Sequence, residues 1–270
     1  MPSVRIDDDG LRLSYRDEGD AREAVVLIHG FPFTSNLWDA QIEALSASHR
    51  VIAPDLRGFG LSDLSPRPYS IARLADDVAD LLSALDLGQA VIGGLSMGGY
   101  VAFEFYRRHM NRVAALVLAD TRPDPDTDDA RTNRASMAER VRSEGSIAVA
   151  NELVPKLLAP KTRADRPQVE DALRSMMETS HPEAIAGALD AMARREDSRP
   201  LLTEIAVPVL AIAGTEDRLT PPEQMLEWAG LIPGVKIAFV EGAGHVSNLE
   251  KPTLFNTLLT DFLRSMERPS

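Results

Sequence analysis

Val91-Ile92-Gly93-Gly94-Leu95-Ser96-Met97-Gly98-Gly99-Tyr100 is an apolar run that breaks into glycines around a serine and passes into a helical pattern carrying Val101, Phe105 and Tyr106. The pattern is G-x-S-x-G between a strand and a helix. A serine at such a turn projects its hydroxyl above the sheet, and the strained backbone admits only small residues two positions either side, here Gly94 and Gly98. The following helix points its N-terminal amides towards developing negative charge. A lone glycine-rich turn with a surface serine is the plainer alternative, but the flanking strand and helix favour Ser96 as a nucleophile.

Outward from this turn, short β-branched apolar runs alternate with longer stretches of helical periodicity. Strands are expected at 24–28, 50–53, 90–93, 113–119, 207–213 and 236–240. They read as continuous apolar runs, as strands covered on both faces do, so the expected class is α/β: a mostly parallel twisted sheet with helices on both faces. Between strands, Ile71, Leu74, Val78, Leu81, Leu82 and Leu85 share one helical face while Arg73, Asp76, Asp77 and Asp80 lie elsewhere. Residues 4–6 and 11–15, broken by Asp8, Asp9 and Gly10, suggest a hairpin at the sheet edge.

The alternation stops after 113–119. Residues 121–200 show only helical periodicity, at 130–143, 146–158, 169–179 and 182–194, with the Pro- and Asp-rich 123–129 as the way in. The expected organisation is a core of 1–120 and 201–270, with 121–200 a helical cap inserted between two core strands and lying over their C-terminal ends.

The 270 residues, 44% of them hydrophobic, suffice for one packed unit. An excess of 41 acidic over 29 basic side chains argues against nucleic acid or an anionic membrane surface as partner. No apolar run reaches membrane-spanning length, and the N-terminus lacks the apolar core of a signal peptide. Without cysteine there is no disulfide, thiolate zinc site or cysteine nucleophile, which fits a cytoplasmic protein.

A serine hydroxyl is a weak nucleophile at neutral pH and needs a base. Of five histidines, His49, His109 and His181 read as surface or capping residues, and His29, in His29-Gly30-Phe31-Pro32, as shaping the turn after the first core strand. His245 follows the strand at 236–240 in a glycine-flanked loop, where functional groups of open α/β sheets gather, and is the expected base. Asp217, just past the strand at 207–213, is the expected orienting acid. Its neighbour Glu216 would point away, and Asp120, at the end of 113–119, is its rival. Asp55 and Asp63 read as loop-fixing residues. The oxyanion of an acyl-transfer intermediate needs preorganised donors, and the backbone amides of Met97 and Phe31 are placed to supply them.

Taken together, His29-Gly30-Phe31-Pro32, Pro54-Asp55-Leu56-Arg57-Gly58-Phe59-Gly60-Leu61-Ser62, Gly94-Leu95-Ser96-Met97-Gly98-Gly99, Gly214-Thr215-Glu216-Asp217 and Gly244-His245 resemble the capped α/β-hydrolase family. The order Ser, Asp, His is that family's. Leu95-Ser96-Met97, the helical cap and Asn248-Leu249-Glu250-Lys251-Pro252 resemble carboxylesterases and 3-oxoadipate enol-lactonases. The lactonases pair a tryptophan with an arginine early in the cap, whereas this chain has Arg131 and Arg134 and no tryptophan there. Serine at the elbow separates the chain from haloalkane dehalogenases and epoxide hydrolases, and Leu95 from carbon-carbon bond hydrolases.

The resemblance implies hydrolysis of a small carboxylic ester or lactone through an acyl-enzyme, with no metal or organic cofactor. Peracid formation with hydrogen peroxide, slow-turnover ligand reception and hydroxynitrile lysis are the competing functions. Phe31, Met97, Met137, Leu219 and Val246 are expected to wall the pocket; Met176, Met177 and Met192 are further cap methionines that read first as core. Trp38 and Trp228 are expected to pack helices against the core.

Overall fold

Period-two burial along the central strands sorts this chain into layers. A computed structural model describes residues 1–6, 10–65 and 67–267. In strand β3 (Ala24–Ile28), Val25 and Leu27 join one buried cluster while Val26 and Ile28 join the other. In β6 (Val113–Ala119), Ala115, Val117 and Ala119 divide from Leu116 and Leu118 in the same way. A pleated strand sends successive side chains to opposite faces, so an all-apolar strand must be covered twice.

Around them lie β1 (Ser3–Ile6), β2 (Leu11–Glu18), β4 (Arg50–Pro54), β5 (Ala90–Leu95), β7 (Val209–Gly214) and β8 (Lys236–Val240). The described residues form one eight-stranded sheet of order β1-β2-β4-β3-β5-β6-β7-β8. Pairs β1-β2 and β2-β4 are antiparallel and the others parallel, with Val25 beside Val91 and Leu118 beside Ala211. The expected edge hairpin is present as β1 and β2, although Asp8 and Asp9 lie outside the described residues. Strand β7 starts at Val209, two residues later than expected: Pro208 has no N–H to donate to the ladder. Strand β8 departs from the expected double burial, with Lys236 exposed and Phe239 38% exposed, because it is the sheet's outer strand.

The helices of the core are α1 (Asp39–Leu45), α2 (Ile71–Ala84) and α3 (Met97–His109). Helix α2 begins at Ser70, whose hydroxyl accepts the Arg73 N–H at 3.0 Å, and it buries Leu74, Val78, Leu81 and Leu82. Between β6 and β7 run α4 (Asp128–Glu144), α5 (Ile147–Leu157), α6 (Pro160–Asp165), α7 (Pro167–Glu178) and α8 (Pro182–Ala193). Helix α6 was not foreseen, being too short to show helical periodicity. The chain ends with α9 (Pro222–Ala229), α10 (Ser247–Glu250) and α11 (Pro252–Glu267). Helices α2, α3 and α9 cover one face of the sheet, while α1 and α11 cover the other. Trp38 lies 6.1 Å from the ring of Phe255 and Trp228 5.8 Å from that of Phe103, so both tryptophans pack helices to the core.

The inserted helices touch the loops that follow several strands. Ser180 Oγ donates to Pro32 O at 3.5 Å, and the His245 N–H donates to Leu157 O at 2.7 Å. Both contacts fall on loops that leave the C-terminal ends of parallel strands, those of β3 and β8. Among the described residues, no helix is long and apolar enough to cross a membrane.

Candidate active site

Strand β5 turns into α3 through Ser96, which holds φ +56° and ψ −113° as the residue preceding the helix. Left-handed backbone is costly for a residue with a Cβ, and it is held here by packing that leaves no alternative. A Cβ at Gly94 would lie 2.1 Å from Gly98 O, and one at Gly98 would lie 2.2 Å from Ile28 O. The Thr121 hydroxyl donates to Ser96 O at 2.8 Å, pinning the turn from the end of β6.

His245 comes from the loop after β8 and Asp217 from the loop after β7. The Nε2 of His245 lies 2.8 Å from Ser96 Oγ, and its Nδ1 lies 2.8 Å from Asp217 Oδ2. Asp217 Oδ1 accepts the Leu219 and Thr220 N–H groups at 2.8 and 3.1 Å, and Oδ2 accepts the Thr220 hydroxyl at 2.5 Å. Burial pushes the Asp217 carboxyl up, but His245 beside it and the Thr220 donors hold it below the usual range. For His245, burial pulls the imidazole down, and the Asp217 carboxylate more than offsets this, so the net shift is upward. An ionised Asp217 places the Nδ1 proton between the two side chains, which leaves Nε2 to accept from Ser96.

Asp120 does not face His245 in Asp217's place. Its Oδ1 accepts the Gly214 N–H at 2.8 Å, and Oδ2 accepts the Ser247 hydroxyl at 2.5 Å and the Ser247 N–H at 3.3 Å. It thus ties the end of β7 to the loop of His245. Burial, then the nearby Asp217 charge, pushes its pKa up to about 8.

Several other candidates take structural places. His29 is fully buried, donates from Nδ1 to Gly30 O at 2.8 Å and accepts the Leu56 N–H on Nε2 at 3.0 Å, joining the turns after β3 and β4. Burial lowers its pKa, in keeping with the neutral tautomer. His181 caps α8, accepting the Glu183 N–H at 3.1 Å, and His109 pairs with Asp76 at 2.8 Å. His49 is buried, not on the surface as expected, with Ser48 Oγ 2.9 Å from its Nδ1. Asp55 accepts the Ser35 and Leu61 N–H groups at 2.8 and 2.9 Å, and Asp63 binds Arg12.

Among the described residues, neither the Met97 nor the Phe31 N–H has an acceptor. Met97 and Val246 are wholly buried, Phe31 and Met137 nearly so, and Leu219 partly. Met176, Met177 and Met192 lie in the packed clusters. Arg134 is held by the buried Asp126, which also binds Arg195 at 2.5 Å, and Arg131 pairs with Asp128 at 3.0 Å. Both arginines of the early cap, Arg131 and Arg134, are therefore already partnered. A cavity of about 690 Å³ lies elsewhere, lined by Arg122, Thr127, Gln224 and Trp228 among others.

Sequence reasoning missed Thr220, Ser247 and Glu250. For Thr220 a signal existed, since an aspartate followed three residues on by threonine is the spacing of a side-chain-capped turn. Ser247 and Glu250 are placed by tertiary contacts that no local pattern announces.

Residues 23–252 match the family model for the alpha/beta hydrolase fold, and the chain belongs to that family. A solved esterase from Thermogutta terrifontis superposes with a TM-score of 0.96 at 39% identity, covering 99% of each chain. The enol-lactonase from Burkholderia xenovorans gives a TM-score of 0.90 at 30% identity, covering 97% of this chain and 100% of that one. The Bacillus subtilis protein provisionally named 2-succinyl-6-hydroxy-2,4-cyclohexadiene-1-carboxylate synthase is 32% identical, over 96% of this chain and 97% of its own. These findings support hydrolase activity.

Proposed function

We propose that this chain is a serine hydrolase cleaving a small carboxylic ester through an acyl-enzyme, with Ser96 as nucleophile, His245 as base and Asp217 as orienting acid. The observation that carries the reading is the unbroken chain from Ser96 Oγ to His245 Nε2 and from His245 Nδ1 to Asp217 Oδ2, 2.8 Å at each step. Residues 121–200 serve as the cap that closes over this chain, and 1–120 with 201–270 as the core.

Ser96 Oγ attacks the carbonyl carbon while His245 Nε2 takes its proton. The oxyanion is received by the Met97 and Phe31 N–H groups, whose lack of internal acceptors among the described residues supports that role. As the C–O bond to the leaving group breaks, Nε2 returns the proton to the departing oxygen. A water then gives its proton to Nε2 and attacks the acyl carbon, and Ser96 leaves reprotonated as the acid is released. Asp217 holds the imidazole in the tautomer that this sequence needs.

A lactone is an internal ester and would follow the same steps, and the enol-lactonase relative supports including lactones. Arg134 is engaged by the buried Asp126 and no tryptophan stands early in the cap, so the likeness to lactonases does not extend to that pair.

Hydrolysis of p-nitrophenyl esters from acetate to octanoate, with lactones in parallel, tests the reading. Ser96→Ala should lower kcat by roughly 10⁴-fold or more. A Ser96→Ala protein as active as wild type, or a wild type inert towards every ester and lactone, overturns it.

A further inference from the structure

We propose that Glu250 is a positioning residue that joins the inserted segment 157–166 to the loop of His245, so that segment and base move as one body. The inference rests on the catalytic reading above and assigns a residue that takes no part in the chemistry itself.

His245 holds its partners through both ring nitrogens, so its backbone must be fixed from elsewhere. The core strand before it supplies little of this: β8 ends at Val240, and the chain reaches His245 through Gly242 and Gly244. Core groups hold the loop on either side, Glu216 donating its N–H to Ala243 O at 2.8 Å and Ser247 its hydroxyl to Asp120, while His245 and Gly244 themselves are held by the insertion. The His245 N–H donates to Leu157 O at 2.7 Å. Glu250 Oε1 accepts the Gly244 N–H at 2.7 Å, and Oε2 accepts the Ala159 N–H at 2.9 Å. The Thr162 hydroxyl also bonds this carboxylate, and Arg166 Nη1 donates to Glu250 O at 2.6 Å.

Glu250 is fully buried, so each of these bonds forms away from competing water. The fit at Gly244 is close enough that a Cβ there would lie 2.7 Å from Leu157 O and 2.8 Å from the Ala159 nitrogen. One carboxylate therefore closes a ring between residue 159 and residue 244, with the base on the next residue. Any motion of the insertion that admits substrate must leave 157–166 in place, or else draw His245 off Ser96.

Three full-length variants test this: Glu250→Ala, Glu250→Gln, and Arg112→Ala as a control. Arg112 donates to Ala79 O at 3.0 Å, Ser83 Oγ at 2.7 Å and Leu87 O at 2.6 Å, at the end of β6 opposite to the site. Two readouts are taken, kcat and KM on p-nitrophenyl acetate, and hydrogen exchange of segments 157–162 and 243–247. Glu250→Ala should raise exchange in both segments together and lower kcat roughly 10- to 100-fold, the cost of a base displaced by about 1 Å, with KM little changed. Glu250→Gln should lie between, since its amide keeps one acceptor but sets its own N–H groups against the second donor. Arg112→Ala should lose thermal stability while keeping wild-type kcat and wild-type exchange in both segments.

Exchange raised only in 157–162, or a kcat equal to wild type in Glu250→Ala, overturns the proposal. If Glu250→Ala does not fold, Glu250→Gln decides by the same criteria. A wild type that hydrolyses nothing defeats the catalytic reading alone, and the exchange readout still decides whether the two segments are joined.

Discussion

The Thr220 hydroxyl donates to Oδ2 of Asp217 at 2.5 Å, the same oxygen that faces His245 Nδ1 at 2.8 Å. Asp217 is thus held in place by its own loop where it meets the imidazole. Asp217→Asn should lower kcat by about 10⁴-fold, because the amide favours the wrong imidazole tautomer. Thr220→Val removes one donor and leaves two N–H bonds to Oδ1, so its loss should be smaller, about tenfold. Steady-state kinetics of both variants beside wild type check the order.

In the proposed mechanism His245 must be neutral to accept the Ser96 proton. The net shift of His245 is upward from 6.5, so kcat/KM should fall on the acid side with a midpoint above that value. Asp120, with its own carboxyl raised to about 8, is largely uncharged through that fall, so Asp120→Asn should leave the midpoint close to the wild-type one. A pH profile from 5 to 9 for both proteins measures this.

Asp120 also predicts a stability trend. Its carboxyl is raised from 3.8 to about 8, so the folded chain binds more protons than the unfolded one across that interval. Stability from this group is therefore lost as pH rises through the window, the reverse of a salt-bridged carboxylate. Asparagine mimics the protonated form and does not titrate. Thermal unfolding at pH 6 and pH 9 should show a smaller loss of Tm in Asp120→Asn than in wild type.

Gly98 lies where a Cβ would meet Ile28 O at 2.2 Å, a backbone atom that cannot turn aside. Gly98→Ala should displace the elbow from β3 and abolish turnover. Gly88→Ala, where a Cβ meets nothing within 4 Å, should fold and turn over like wild type. Circular dichroism and ester hydrolysis on both proteins compare them.

Arg57 and Asp77 form a buried pair at 2.5 Å, with side-chain exposures of 2% and 0%. Removing one partner strands the other's charge, so Asp77→Ala should cost about 3–5 kcal/mol. Replacing the exposed Asp128, which pairs with Arg131, should cost under about 1 kcal/mol. Urea unfolding midpoints distinguish the two cases.

Much of the fold was legible locally. Strands at 24–28 and 113–119 have the bounds that the apolar runs indicated, since a doubly covered strand writes its burial into nearly every residue, and 236–240 keeps its expected bounds although it is not doubly covered. The outward face of β8 was not legible, because being last in the sheet is a property of strand order, not of Lys236 or Phe239. Ser96 stood out because only glycine fits at 94 and 98, and steric demands of that kind are recorded in residue type.

Asp120 and Asp217 were both plausible partners for His245, each an aspartate just past a strand. Only the assembled sheet turns Asp120 towards Gly214 and Ser247 and Asp217 towards the imidazole. Glu250 is the stronger case, since its carboxylate joins residue 159 to residue 244 across an insertion that local pattern could delimit but not orient. The sequence alone determined the α/β alternation, the strained turn at Ser96 and the order of serine, aspartate and histidine, because periodicity and steric exclusion act between neighbours along the chain. Tertiary structure alone decided which aspartate meets His245 and what holds that histidine in place, because hydrogen bonds between distant segments depend on distances that only the packed layers set.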